Sequence, residues 1–178
     1  DIQLVNYGKQ VIEFRSQFIL QLKDLIQEIH RSLSGGKEEL LIHYEPHTEA
    51  EDFEEALKRG RKQDLKQKTT LCGPHRDDVS FIVNGVDIRR YGSQGQQRTA
   101  ALSLKLSELQ LVKLLIRDDP ILLLDDVLSE LDSSRQKQLL SAINGIQTVI
   151  TCTGLDDFVS NRFKIDRVFQ VINGTVSI

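Results

Sequence analysis

The stretch PILLLDDVLSELD, residues 120–132, decides how the chain folds. Four aliphatic residues, Ile121 to Leu124, run without interruption into Asp125 and Asp126, and Ser129-Glu130-Leu131-Asp132 follow. A short apolar run bounded by turn signals fits a fully buried strand of the kind found inside parallel sheets. In such sheets ligands gather outside the carboxyl ends of the strands. A carboxylate placed there can hold Mg2+ through water, and a second beside it can orient an attacking water. This stretch alone leaves two readings open: a core strand reaching the surface, or a metal and water site.

Upstream lies Tyr91-Gly92-Ser93-Gln94-Gly95-Gln96-Gln97-Arg98. A helix is expected from Arg98 to about Arg117, apolar on most sides through Ala101, Leu102, Leu104, Leu106, Leu109, Leu111 and Leu115, and therefore buried. Two glycines let backbone approach a ligand closely, and the helix behind them offers free N–H groups and a positive dipole end. The turn therefore reads as an anion site with the Ser93 hydroxyl as a further donor, or as an ordinary polar turn and helix cap.

The surrounding elements make an α/β domain. Asn84-Gly85 between Val79–Val83 and Val86–Arg90 signals a type I′ hairpin, as does Asn173-Gly174 between Val168–Ile172 and Thr175–Ile178. Ser133–Ile143 reads as a helix capped by Asp132 or Ser133, and Gln147–Thr151 as a strand. The first third is different. Val11, Phe18 and Leu25 repeat every seven residues, as do Ile12, Ile19, Ile26 and Leu33, with Leu22 and Ile29 on the same face. One long helix from about Val5 to Leu33 follows, ended by Ser34-Gly35-Gly36. A short strand, Glu39–Tyr44, and a second helix, Glu49 to about Asp64, complete a mainly helical lobe over residues 1–70, with the α/β part over 71–178.

That second helix is acidic at its start and basic at its end, which complements the helix dipole. Glu54 with Lys58 and Glu55 with Arg59 have intrahelical ion-pair spacing. Lys58, Arg59, Arg61, Lys62, Lys66 and Lys68 thus form either a solvated helix face or a patch for DNA phosphates. The net charge of −3 gives no global attraction to nucleic acid, so any DNA contact has to be local.

Hydrophobic and charged residues at 39% and 28% describe a globular chain without a disorder signature. No apolar run approaches the roughly 18–20 residues of a membrane span, and no signal peptide opens the sequence. Cys72 and Cys152 lie far apart without metal-ligand spacing, which favours a cytoplasmic setting. The missing initiator Met before Asp1 points to a piece of a longer chain.

The order of the motifs narrows the reading. A Ser-x-Gly-Gln turn, a helix of about twenty residues, an aliphatic strand ending in two acids, and Ser-Glu-Leu-Asp resemble the second half of an ABC-type, P-loop NTPase head: signature, Walker B strand, D-loop. The wording of Gly73-Pro74-His75-Arg76-Asp77-Asp78, of Gly92 to Thr99 and of Leu123 to Asp132 is similar to the RecF family, SMC-like ATPases of DNA repair, replication and recombination. The long helix ending in Ser-Gly-Gly fits that family's helical arm, so the resemblance covers the whole chain.

The resemblance implies ATP and Mg2+ as cofactors of the full-length protein. Asp125 would be the Walker B aspartate holding Mg2+ through water, and Asp126 the catalytic carboxylate polarising the attacking water. Ser93, Gln94, Gly95 and Gln96 would grip ATP bound to the opposite subunit, and Asp132 would serve the D-loop. It also implies an ATP-dependent homodimer on double-stranded DNA and single/double-strand junctions, with RecR and RecO as partners, RecA loaded at gaps, and a place in the SOS response.

Three departures qualify this. Asp126 stands where many ABC ATPases have Glu, which implies slow hydrolysis, and Gln94 replaces the first glycine of the commoner Ser-Gly-Gly-Gln. Thr151-Cys152-Thr153 replaces the switch histidine, which the RecF family also tends to lack. No Gly-x-x-x-x-Gly-Lys-[Ser/Thr] occurs, so nothing here cradles the α- and β-phosphates. The chain alone is therefore expected neither to bind ATP tightly nor to hydrolyse it. The rival reading is a non-enzymatic DNA- or protein-interaction module; a phospho-receiver or phosphatase on Asp125 lacks its further strand-end residues. Gly73–Asp78 reads as a salt-bridged corner or as a nucleotide- or DNA-facing turn. His43 and His47 are four apart, but Pro46 breaks the helix a metal site would need.

Overall fold

The computed structural model describes residues 2–118, 120–153 and 165–177. Ile2–Leu33 forms one helix, α1, of 32 residues. Its buried face carries Gly8, Ile12, Leu22, Ile26, His30 and Leu33. Val11 and Phe18, expected on that face, stand 37% and 43% exposed, because they sit one position round the helix from Ile12 and Ile19. Positive φ at Gly35 and Gly36 lets the Gly36 N–H close on the Arg31 carbonyl at 2.7 Å and end the helix.

Leu40–Glu45 (β1) pairs antiparallel with Asp78–Val83 (β2), in register from Leu40↔Val83 to Glu45↔Asp78. Between them Phe53–Gln67 forms α2, displaced by about one turn from the expected helix. The Asn84-Gly85 turn has both φ values positive, as type I′ requires, and leads into Val86–Asp87 (β3). This strand stops short of the expected Arg90. The Asp87 carboxylate accepts from Arg89 N–H at 2.9 Å and caps a one-turn helix, Ile88–Tyr91 (α3). Gln94–Ile116 follows as α4.

α1 packs along both α4 and β1. Leu22, Ile26, Leu40, Ile42, Val83, Ile88, Ala100 and Leu111 form one buried cluster; Ile12, Ala50, Phe53 and Leu57 form another. These contacts make residues 1–120 one compact unit, with 121–178 a second. The division expected near residue 70 does not coincide with this one, because β1 pairs with β2 across it and α1 lies on α4.

In the second unit Leu122–Asp125 (β4) pairs parallel with Thr148–Thr151 (β5), and Ser133–Ala142 (α5) connects them. Gln170–Ile172 (β6) and Thr175–Ser177 (β7) close on Asn173-Gly174, again with both φ positive; Ile178 lies outside the described residues. Full burial of Ile121–Leu124 is not observed. Leu124 is 6% exposed, but Leu123 is 71% and Ile121 59% exposed. A parallel strand is buried on both faces only where both are covered, and here one stands open. The end of α4 is likewise open, with Leu114, Leu115 and Ile116 exposed. Among the described residues no helix is long and apolar enough to cross a membrane.

Candidate functional site

The turn before α4 is built as a capping box. The helix begins at Gln94 instead of Arg98 because Ser93 is its N-cap. Ser93 Oγ accepts from Gln96 N–H at 3.2 Å, and Gln96 Oε1 accepts from Ser93 N–H at 3.0 Å. The Ser-x-x-Gln spacing that carries this box was readable in the sequence. Having accepted, the Ser93 hydroxyl keeps its proton for an anionic ligand. Gln94 and Gly95 occupy the first turn, where helix N–H groups precede any i−4 carbonyl and the dipole is positive. The turn is fixed from behind. Gln97 Nε2 donates to the Ile88 carbonyl at 2.8 Å. A Cβ on Gly92 would lie 2.6 Å from that same carbonyl oxygen, so glycine is required there by close approach.

In the second unit the register sets Asp125 opposite Thr151, each the last residue of its strand. Thr151 Oγ1 donates to Asp125 Oδ1 at 2.5 Å and accepts from Asp126 N–H at 3.0 Å. One hydroxyl therefore holds both aspartates. Asp126 adopts a left-handed backbone (φ 51°, ψ 20°), which Asp tolerates better than most side chains. Its carbonyl accepts from Ser129 Oγ at 2.7 Å, bending the chain into a 3-10 turn over Val127–Glu130. Both carboxylates are exposed.

Asp132 caps α5. Its Oδ1 accepts from the N–H groups of Ser134 and Arg135 at 3.0 Å each, and its Oδ2 from Arg135 Nη1 at 2.7 Å. The Arg135 N–H is the largest influence on the carboxyl and lowers its pKa; with the Arg135 guanidinium it outweighs the opposing effect of burial. Gln136 Nε2 reaches back to the Leu128 carbonyl at 2.8 Å and ties α5 to the turn after β4. Among the described residues no three His, Cys, Asp or Glu side chains converge as a metal cage. The exposed Asp125 carboxylate still suits Mg2+, which binds through one or two carboxylates and keeps most of its waters.

The remaining candidates separate clearly. Lys58, Arg59, Arg61, Lys62, Lys66 and Lys68 are all exposed on or just after α2. Lys58 lies 2.6 Å from Glu54, whose carboxyl it holds below its ordinary pKa, and Arg59 lies 4.0 Å from Glu55. Gly73–Asp78 is a structural corner. The Asp77 side chain, 3% exposed, accepts from Arg15 Nη1 at 2.9 Å, Tyr44 Oη at 2.5 Å and His47 N–H at 3.0 Å. Burial, then the Asp77 bond, pushes the Tyr44 phenol well above its usual range. Gly73 at φ 141° begins the corner against the Phe53 ring. The bond of Thr151 to Asp125 is what sequence reasoning missed, because only the β4–β5 register brings the two together.

No family model matches the chain. A DNA replication and repair protein RecF from Agathobacter rectalis is 56% identical over 178 residues, covering 100% of this chain and 49% of the relative. RecF from Lachnoclostridium phytofermentans is 56% identical over 176 residues, and that from Clostridium perfringens 43% over 181, at 49% and 50% of their lengths. Two solved structures of the recombination mediator protein RecF in the RecFOR pathway, RecF-ATP and RecF-ATPrS, superpose with TM-scores of 0.82 and 0.80 at 36% and 35% identity. They cover 98% and 99% of this chain, which covers 48% of each. The chain spans about half the length of the relatives it matches, and its fold is that of part of an ABC-type ATPase. The chain belongs to the RecF family.

Proposed function

We propose that the chain contributes the signature, Walker B strand and D-loop of an ATP-hydrolysing head that closes as a dimer on DNA. The observation that carries this is the pair Asp125 and Asp126, held by Thr151 at the carboxyl end of a parallel strand. Similarity along the whole chain to a protein solved as RecF-ATP supports the same reading.

In it Asp125 holds Mg2+ through water, and Asp126 orients the attacking water. Ser93, Gln94, Gly95 and Gln96 form the turn that offers a hydroxyl and first-turn N–H groups to the ATP of the opposite subunit, and Asp132 shapes the D-loop. The metal, when bound, neutralises phosphate charge. The full-length protein acts in the cytoplasm on duplex DNA and single/double-strand junctions. With RecO and RecR it serves the loading of RecA. Lys58, Arg59, Arg61, Lys62, Lys66 and Lys68 are its candidate phosphate contacts, although two of these cations already pair within α2.

The 178 residues contain no Gly-x-x-x-x-Gly-Lys-[Ser/Thr], so the chain alone holds half of an ATP site and is inactive. Mixing it with the P-loop-bearing half of the family's sequence and measuring ATP binding tests this. Restored binding supports the split head. No binding leaves an interaction module, and robust Mg-ATPase from the chain alone sinks the proposal.

A further inference from the structure

His30, Glu38 and Gln96 form a polar relay between the long helix and the turn that heads α4. His30 is fully buried on α1, and its Nδ1 lies 3.0 Å from Ser103 Oγ on α4. Ser103 gives its own hydroxyl proton to the Thr99 carbonyl at 2.7 Å. With that proton committed, Ser103 meets the ring as an acceptor, and Nδ1 carries the hydrogen. The other ring nitrogen, Nε2, lies 3.3 Å from Glu38 Oε2. Glu38 uses its second oxygen elsewhere: Oε1 accepts from Gln96 Nε2 at 3.2 Å. Gln96 Oε1 then accepts from Ser93 N–H, completing the capping box.

The last two bonds select one orientation of the Gln96 amide. A capping box needs only Oε1, and a solvated glutamine is free to leave it. Here an acceptor-only carboxylate stands on one side and a backbone donor on the other. Rotating the amide by half a turn would set two donors together at Ser93 and two acceptors together at Glu38. Glu38 therefore fixes Gln96, and Gln96 fixes Ser93. Glu38 is itself held by a buried imidazole, which needs polar partners to be tolerated in the α1–α4 contact.

We propose that Glu38, held by His30, is a positioning residue for the Ser93–Gln96 turn and couples α1 to it. This rests on the signature reading given above. The test uses the full-length protein, with ATP-dependent dimerisation followed by light scattering and ATP binding to the monomer measured separately. Glu38→Ala should raise the ATP concentration for half-maximal dimerisation about tenfold, the scale of one lost charge-assisted hydrogen bond, with monomer binding unchanged. Glu38→Gln, which keeps an acceptor for Gln96, should stay within about threefold of wild type and serves if the alanine variant folds poorly. In a Gln96→Ala background Glu38→Ala should add nothing, since the two act through one contact; a merely structural role would give additive losses.

Ser93→Arg distinguishes the two levels. If it blocks dimerisation while Glu38→Ala dimerises at the wild-type ATP concentration, the relay is wrong and the signature stands. If Ser93→Arg dimerises normally, the signature reading fails and the relay with it. Additive losses from Glu38→Ala and Gln96→Ala also overturn the relay.

Discussion

At Thr151 a single hydroxyl is donor to one aspartate and acceptor for the next, so its removal tests the site without touching either carboxylate. Valine matches threonine in shape but lacks the oxygen. In the full-length protein Thr151→Val should lower steady-state ATP turnover roughly tenfold, the scale of a hydrogen bond to a charged group, with ATP-dependent dimerisation retained. Wild-type turnover in that variant would show that the hydroxyl does not position Asp125. Asp126→Asn should keep ATP binding and dimerisation but stop turnover, and unchanged hydrolysis would remove Asp126 from the mechanism. The aspartates were legible because adjacent acids ending an aliphatic run are conspicuous. Thr151 was not, since a threonine ending a strand is ordinary until the pairing across β4 and β5 is known. His30 was hidden differently. It falls four residues after Ile26 on the buried face of α1, where the apolar pattern gives a histidine no signal.

Among elements, the caps carry the clearest consequences. Asp132 has a folded-state pKa below its unfolded value, which is about 3.9 for an ordinary Asp. The cap on α5 therefore contributes its full stability above that value and loses it as pH falls through the folded pKa. Asparagine keeps a capping oxygen but neither titrates nor pairs with the Arg135 guanidinium. The urea midpoint of wild type minus that of Asp132→Asn should be positive at neutral pH and shrink to zero in acid; a difference flat with pH would refute the assignment. Gly92 limits the approach of α3 to α4. Gly92→Ala places a Cβ against the Ile88 carbonyl and should cost about 1–3 kcal/mol in urea unfolding, as overpacking does. A smaller loss would mean that α3 can shift freely. Both hairpins and the Asp132 cap followed from local turn and cap chemistry. α4 starts four residues before the expected Arg98 because the Ser93-x-x-Gln96 box caps it there. The pairing of β1 with β2 was out of reach of local reasoning, since more than thirty residues intervene.

For the molecule as a whole, the open apolar surface is the feature that the two units by themselves leave unexplained. Leu115 and Ile116 at the end of α4, Leu123 on β4, Val149 on β5 and Val171 on β6 are all more than half exposed. Single exposed aliphatics are normal, but strands and a helix end that each show an uncovered apolar face mark surfaces built to be covered. Relatives about twice as long have the extra chain to cover them, and the same extra chain would bring the phosphate cradle that the split-head reading requires. The two deficits should therefore be repaired together. The isolated chain should bind a dye of exposed apolar surface such as ANS and self-associate with concentration in sedimentation. Adding the complementary half should quench the dye, abolish self-association and restore ATP binding at the same stoichiometry. Dye binding lost without any gain in ATP binding would separate the two, and would leave the apolar faces as docking sites of a module with no part in a nucleotide head.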